Sequence, residues 1–204
     1  MKNQHIFRME TISLSFAELN FLNSTKKVTE NCQMPYKNHP HGCPNYNHNW
    51  SCPPYAPSVE ETRNTLETYS YLWIILITQD IPSYKPKIFQ KQQMKKHYPQ
   101  LTYHCNHFLA YLREKHKDWK IYFCSECSLC MEKRFHSCTC PQEPCRFPDE
   151  IRISPEAAGI DLNTTLKNSE NPLEWPPKTR IVRIGLCATH EKVNLSKLYK
   201  EFLI

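Results

Sequence analysis

Tyr71-Leu72-Trp73-Ile74-Ile75-Leu76-Ile77-Thr78 is a short, nearly all-apolar run. It reads as a buried central strand, because a strand covered on both faces loses the apolar-polar alternation of a half-exposed one. The sequence on either side is helical. Upstream, Ser58-Val59-Glu60-Glu61 is a capping box, in which the serine hydroxyl and the glutamate each satisfy an orphan backbone N–H. Val59, Leu66 and Tyr69 then recur at helical spacing. Downstream, residues 87–96 and then 99–117 read as helix, with Pro99 suited to a first helical position. Leu101, Cys105, Phe108 and Leu112 form the buried stripe of the second piece. Residues 119–123 read as the next strand. Strand, helix, strand in this order predicts a right-handed parallel crossover.

Further out the signals are shorter. Residues 11–16 read as a strand with Ile12, Leu14 and Phe16 on one face. Residues 20–57 are rich in Asn, Pro and His and read as loop. A short helix follows Gly159, capped by Asp161. Residues 180–186 read as a last strand and residues 195–202 as a last helix. The expected fold is α/β (or α+β): a small mixed sheet with a strand-helix-strand crossover, helices packed on it, and two cysteine-rich metal-binding loops. The whole chain, 1–204, is expected to form a single metal-binding domain, with the first cysteine loop at 32–57 and the second at 124–148.

Composition narrows the function classes. The chain has enough aromatic and aliphatic residues to bury a core, which argues against disorder. Three glycines stand against sixteen prolines, so loops must be shaped by proline, asparagine and ligation. So few glycines leave little room for a phosphate loop or a dinucleotide fingerprint, and no serine–histidine–acid set is visible. The net charge of +6 sits largely in residues 85–96 and 113–120 and reads as solvated helix faces rather than a nucleic-acid surface. No apolar run reaches the length of a membrane span, and no signal peptide is visible near the N-terminus. A cytoplasmic location is therefore expected, where clustered cysteines mean metal or catalysis rather than disulfides.

Nine of the eleven cysteines fall into two stretches: Cys32, Cys43 and Cys52, then Cys124, Cys127, Cys130, Cys138, Cys140 and Cys145. Cys43, Cys52 and Cys140 are each followed by proline, a common habit of iron–sulfur ligands. Cys124-x2-Cys127-x2-Cys130 places three thiols on one tight turn of backbone, as a cubane cluster needs, and Cys138, Cys140 or Cys145 can supply the fourth. Two such 4Fe-4S cubanes need eight cysteines. The second stretch can complete a site alone, whereas the first has three thiols and must borrow a ligand, use His39, His41 or His48, or leave one iron open. Arg146, next to Cys145, is expected to offset cluster charge, and Trp50 to shield a cluster from water. Structural zinc is the alternative for either stretch. Cys105 and Cys187 lie on apolar stripes and read as core, and His97, His104 and His107 as a helix face.

Several longer motifs match one family. Gly42-Cys43-Pro44-Asn45-Tyr46, Trp50-Ser51-Cys52-Pro53-Pro54-Tyr55-Ala56-Pro57, Glu60-Glu61-Thr62-Arg63 and Leu66-Glu67-Thr68-Tyr69 resemble the opening of a prokaryotic "predicted metal-binding protein" family without an established reaction. Cys127-Ser128-Leu129-Cys130, Pro144-Cys145-Arg146-Phe147-Pro148 and Ser154-Pro155-Glu156-Ala157-Ala158-Gly159-Ile160-Asp161 resemble its closing signature. The resemblance implies metal binding of iron–sulfur type, with Cys32, Cys43, Cys52, Cys127, Cys130 and Cys145 as the matched ligands. Two departures stand out: the gap between Cys32 and Cys43 is wider than the family's, and Lys133 occupies the position of a further family cysteine, which Cys124, Cys138 or Cys140 must replace.

The expected function is electron transfer by a protein with one or two iron–sulfur clusters, docking a redox partner protein through its basic face. The first alternative is an iron–sulfur enzyme with an open iron at the three-cysteine stretch. The second is a zinc-stabilised binding module.

Overall fold

The computed structural model describes residues 7–36, 38–81, 87–174 and 176–204, and within these all side chains except those of residues 87–91 and 93. The basic stretch 85–96 therefore lies partly outside the described residues, although Lys95 and Lys96 are exposed.

Four strands, β1 (Arg8–Leu14), β2 (Tyr71–Asp80), β3 (Lys120–Tyr122) and β4 (Arg180–Thr189), form one sheet in the order β1-β2-β4-β3. The helices are α1 (Thr25–Gln33), α2 (Val59–Glu67), α3 (Lys87–Lys115), α4 (Leu129–Glu132), α5 (Leu162–Asn168) and α6 (Leu195–Phe202). β2 is the apolar run, central as expected and buried along nearly its whole length. One face of the sheet packs on α3 and α6 through Trp73, Ile75, Ile77, Leu101, Phe108, Leu112 and Tyr199. The other packs on α2 and α5 through Leu72, Ile74, Leu76, Leu66, Leu162 and Leu166. Two apolar faces require apolar residues at successive positions of β2, and this is why it shows no alternation.

The α/β class is as expected, and so is the strand-helix-strand unit β2-α3-β3, whose two strands run in the same direction. Its form is split. β4 lies between β2 and β3, so every neighbouring pair in the sheet is antiparallel. Length explains the insertion: β4 pairs with β2 from Tyr71↔Thr189 to Asp80↔Arg180, whereas β3 offers only three residues. Gly185 of β4 lets α3 approach closely, since a Cβ there would lie 2.5 Å from Leu109 Cδ1.

Local signals held at most helix starts. Ser58 and Glu61 form the reciprocal capping box of α2, Asp161 caps α5 by accepting from Thr164 N–H, and α6 spans the expected residues. Two expectations are corrected. Residues 20–57 are not all loop: α1 lies within them, opened by Ser24, whose side chain accepts from Lys27 N–H at 3.2 Å. Its single buried residue, Val28, gives it no visible apolar stripe. Pro99 does not begin a helix but sits inside α3, which is continuous. Met94 and Tyr98 before it and Leu101 after it all pack on the same core, so tertiary contacts offset the hydrogen bond that proline removes. The first strand lies a few residues earlier than expected, and β4 runs on through Thr189.

The chain leaves β3 at the mouth of the second cysteine loop. Phe123 N–H donates to Ile153 O at 2.8 Å, closing that loop at its base. The stretch after Ile153 then ties to the entry of the first loop, through Leu22 N–H to Gly159 O at 2.9 Å and Asp161 N–H to Asn20 O at 2.8 Å. Two loops distant in sequence are thus held side by side.

Candidate metal centres

Cys32 stands in the last turn of α1. The chain then reverses, and Cys43 N–H donates to Cys32 O at 2.7 Å. Gly42 makes this contact possible: its φ is +85°, and a Cβ there would lie 2.5 Å from the Cys32 carbonyl oxygen. Cys52 follows in a set of tight turns. Its N–H donates to Asn49 O, and its carbonyl accepts from Tyr55 and Ala56 N–H. Ser51 is 1% exposed and donates to Asn49 Oδ1 at 2.9 Å. Cys32, Cys43 and Cys52 all line one cavity of about 600 Å³, together with Tyr36, Glu126 and Glu156.

This cavity is a poor place for bare negative charge. Burial raises the Cys52 thiol to about 11, against a hydrogen bond from Ser51, with the charges of Cys43, Cys32 and Glu126 adding to the rise. Burial and then Cys43 also raise Cys32. Each thiol that ionises discourages the next, and a bound cation would relieve all of them at once. Glu156 also lines the cavity, and desolvation raises its carboxyl, while a backbone N–H, Ser154 and the Arg183 charge oppose the rise.

The second loop divides its six cysteines. Cys124 does not join the others. It is buried, with Asn106 accepting from its N–H at 2.9 Å and donating to its carbonyl at 3.0 Å. Its side chain hydrogen-bonds to Cys105, whose thiol is held well above the ordinary value by that bond and by burial. Cys124, the first thiol of the Cys124, Cys127, Cys130 run, is thus bonded to Cys105. Cys130, Cys138, Cys140 and Cys145 are the neighbours. Burial opposes ionisation of Cys138, but bonds from the Cys140 backbone, the Cys140 and Cys130 thiols and the Thr139 backbone prevail and lower it. Cys140 is raised by burial, although the Trp50 backbone N–H bonds to it, and it also feels the charges of Cys138 and Cys145. Cys145 Sγ accepts from Phe147 N–H at 3.4 Å.

Arg146 sits beside this chain of thiols. It hydrogen-bonds to Cys130, donates to Ser137 O at 2.7 Å, and covers the Phe135 ring at 4.8 Å. Behind Cys130, α4 is clamped by Glu132. Its carboxylate accepts from Arg152 at 2.6 Å and from Ser128 Oγ at 2.7 Å, and Arg152 is only 4% exposed.

The two groups meet at residues 50–52. Trp50 Nε1 donates to Glu143 O at 3.0 Å, and the Trp50 backbone bonds to Cys140. Ser51 Oγ accepts from Cys127 N–H at 3.1 Å and lies 3.8 Å from Cys52 Sγ. Cys127 is thus pinned between the groups. Five of the histidines have other company. His39 packs on Tyr36, His48 Nδ1 is 2.7 Å from Tyr46 O, His104 Nε2 is 2.7 Å from Tyr199 Oη, and His107 is 3.6 Å from Glu132. His97 is buried, with its Nδ1 3.2 Å from Gln100 Oε1. Cys187 is buried within β4, and Cys105 is the buried partner of Cys124. Sequence reasoning passed over Glu126, Ser51 and the Glu132–Arg152 pair. Glu126 lies between two candidate cysteines, but the other two are ordinary polar residues until folding brings their partners near.

All eleven cysteines are free thiols. Among the described residues, no group of three or more His, Cys, Asp or Glu side chains could hold a metal ion as placed. The donor chemistry nevertheless fits a thiophilic metal: three thiols share one cavity, and three more are bonded through Cys138 with the charge of Cys145 beside Cys140.

The molecule is of the cysteine-rich α/β class, with nine of its eleven cysteines in two stretches of chain. The chain belongs to the family described as "Predicted metal-binding protein" (DUF2284), whose model matches residues 22–188. Neither curated proteins nor solved structures gave a significant match. No helix among the described residues is long and apolar enough to cross a membrane.

Proposed function

We propose that the chain is a cytoplasmic iron–sulfur protein that carries electrons to a protein partner through two thiol-ligated centres. Cys32, Cys43 and Cys52 hold the first centre. Cys130, Cys138, Cys140 and Cys145 hold the second, while Cys124 stays in the core with Cys105. When bound, iron–sulfur clusters supply one-electron redox capacity. The observation that carries this reading is the shared strip of residues 50–52, which touches Cys140 and Cys127 on one side and bears Cys52 on the other. Two centres joined by so short a stretch suit a relay better than two independent structural staples.

The second loop fits a docking role. Cys138 is exposed, and exposed Met131 and Phe135 lie near it in sequence beside Lys133 and Arg134. Apolar contact ringed by positive charge suits an acidic redox partner. Arg146, bonded to Cys130, would stabilise the added negative charge of a reduced centre and raise its potential.

Anaerobic purification followed by iron, zinc and acid-labile sulfide analysis tests the proposal. Iron and sulfide in equal, stoichiometric amounts are expected. Stoichiometric zinc without sulfide would establish the zinc-stabilised module instead. The open cavity beside Cys32, Cys43 and Cys52 favours a second reading, an enzyme whose first centre meets a small molecule.

A further inference from the structure

The sheet has two edges, and they are finished differently. β3 is three residues long and begins with Lys120, and its outer side is closed where Phe123 N–H donates to Ile153 O at 2.8 Å. β1 stands at the other end of the order β1-β2-β4-β3. It is seven residues long and contains no proline, glycine or lysine. Short strands and lysines are common protection for an open edge. β3 has both, and β1 has neither.

The pairing register decides which backbone groups of β1 face outward. In an antiparallel ladder, successive residues point their N–H and C=O groups to opposite sides. Phe123 N–H points away from β4, so Tyr122 and Lys120 point towards it, and their partners Leu186 and Ala188 are turned to β3. Gly185 and Cys187 are then turned to β2, where they meet Ile75 and Trp73. The bond from Ile81 N–H to Thr179 O at 2.7 Å continues the same odd-numbered set. The even-numbered residues of β2 are left for β1, so Thr78, Leu76, Ile74 and Leu72 bond to Arg8, Glu10, Ile12 and Leu14. Met9, Thr11 and Ser13 therefore point outward. Their three N–H and three C=O groups find no partner among the described residues.

We propose that β1 is the interface of a symmetric homodimer, in which a second copy of this chain lays its own β1 antiparallel against it. A two-fold axis at Thr11 sets Thr11 opposite itself and each Met9 opposite a Ser13. All the outward N–H and C=O groups of both strands are then satisfied. Glu10 falls opposite Ile12 and Arg8 opposite Leu14, so no like charges face each other. The charges of β1 are also neutralised within their own chain, Arg8 by Asp80, and Glu10 by Arg180 Nη1 at 2.8 Å from both carboxylate oxygens. With those charges already paired, β1 offers a foreign strand little charge to recognise, whereas symmetry gives a second copy a matched register. α6 packs on β1 and ends in exposed Leu203 and Ile204, which adds apolar surface on the neighbouring element. Two four-stranded sheets joined in this way form one continuous sheet and remove the open edge.

Sedimentation equilibrium of the full chain, with residue-resolved amide exchange, tests this. The wild type is expected to reach twice the mass of one chain as concentration rises. The amides of Met9, Thr11 and Ser13 should slow as the dimer forms, while those of Glu10 and Ile12 are slow throughout. Thr11→Lys and Thr11→Glu each set like charges opposite one another and should raise the dissociation constant about fivefold. Mixed together, these two variants should associate at least as well as wild type, a recovery that also shows each to be folded. Thr11→Pro removes an outward N–H without touching the bonds to β2 and should raise the constant about tenfold. A wild type that stays a single chain at every concentration, its three outward amides exchanging freely, would overturn the proposal and leave the edge to a strand of another protein. A dimer that persists in Thr11→Pro would place the contact elsewhere and overturn it equally. Charge variants that dissociate alone and do not recover on mixing would overturn the register at Thr11.

Discussion

The two cysteine regions are built on opposite plans. In the first, Cys32, Cys43 and Cys52 come from a helix end and two turns and stand around open space, with burial as the main force on the two thiols it raises. In the second, Cys138 bonds to Cys130 and Cys140 within a short span of chain, Cys145 bears on Cys140 by its charge, and Arg146 is at their side. Open space admits a ligand, whereas a bonded, arginine-flanked thiol chain favours a fixed charge that changes by one electron. The lesson is that cysteine count does not rank the sites. The region with fewer thiols has the cavity and the carboxylates.

The comparison breaks most sharply at the thiols. Cys52→Ala is expected to remove the first centre and spare the second, and Cys138→Ala the reverse. Iron and sulfide analysis of the two variants checks this. If either substitution empties both centres, the plans are not independent.

Next in size is the clamp behind the second group. Arg152→Ala leaves Glu132 partly buried without its cation and is expected to cost about 3–5 kcal/mol, read by denaturant unfolding. A pH series adds a sign. Burial pushes the Glu132 carboxyl up, but the Arg152 and Ser128 bonds prevail and hold it below its ordinary value. Its contribution is therefore complete above the ordinary carboxylate pKa and is lost as pH falls through the lowered one. Acid destabilisation should be shallower in Arg152→Ala than in wild type.

The first region has its own weak point. Gly42→Ala forces a side chain into the left-handed region and against the Cys32 carbonyl, at about 1–3 kcal/mol. First-centre iron is expected to fall while second-centre iron holds. Smallest is Ser58→Ala, which removes the cap of α2 at the exit of the first loop for about 1 kcal/mol. Thermal unfolding should register it with both metal contents unchanged. An equal loss of iron there would mean that the first centre depends on α2 as much as on its own turns.

Local rules made parts of this molecule readable. The apolar β2 run, the Ser58–Glu61 box and the Asp161 cap each rest on residues within a few positions of one another. Cys105 and Cys187 were legible as core because apolar neighbours surrounded them at the right period. Other features depended on distant chain. α1 was hidden because it buries little more than Val28, and the continuity of α3 through Pro99 depends on a core its own sequence does not contain. Cys124 looked like a ligand by spacing, yet Asn106 on α3 takes its backbone and Cys105 its thiol.

By itself the sequence determined that this is a thiol-rich α/β chain with two cysteine loops, since strand burial, helix caps and cysteine spacing are written locally. Tertiary structure alone decided which thiols are neighbours, that β4 splits β2 from β3, and that Glu126 shares a cavity with Cys32, Cys43 and Cys52. Those facts depend on loop closure by pairs such as Phe123–Ile153 and Ser51–Cys127, whose members are far apart in the chain and are brought together by the fold as a whole.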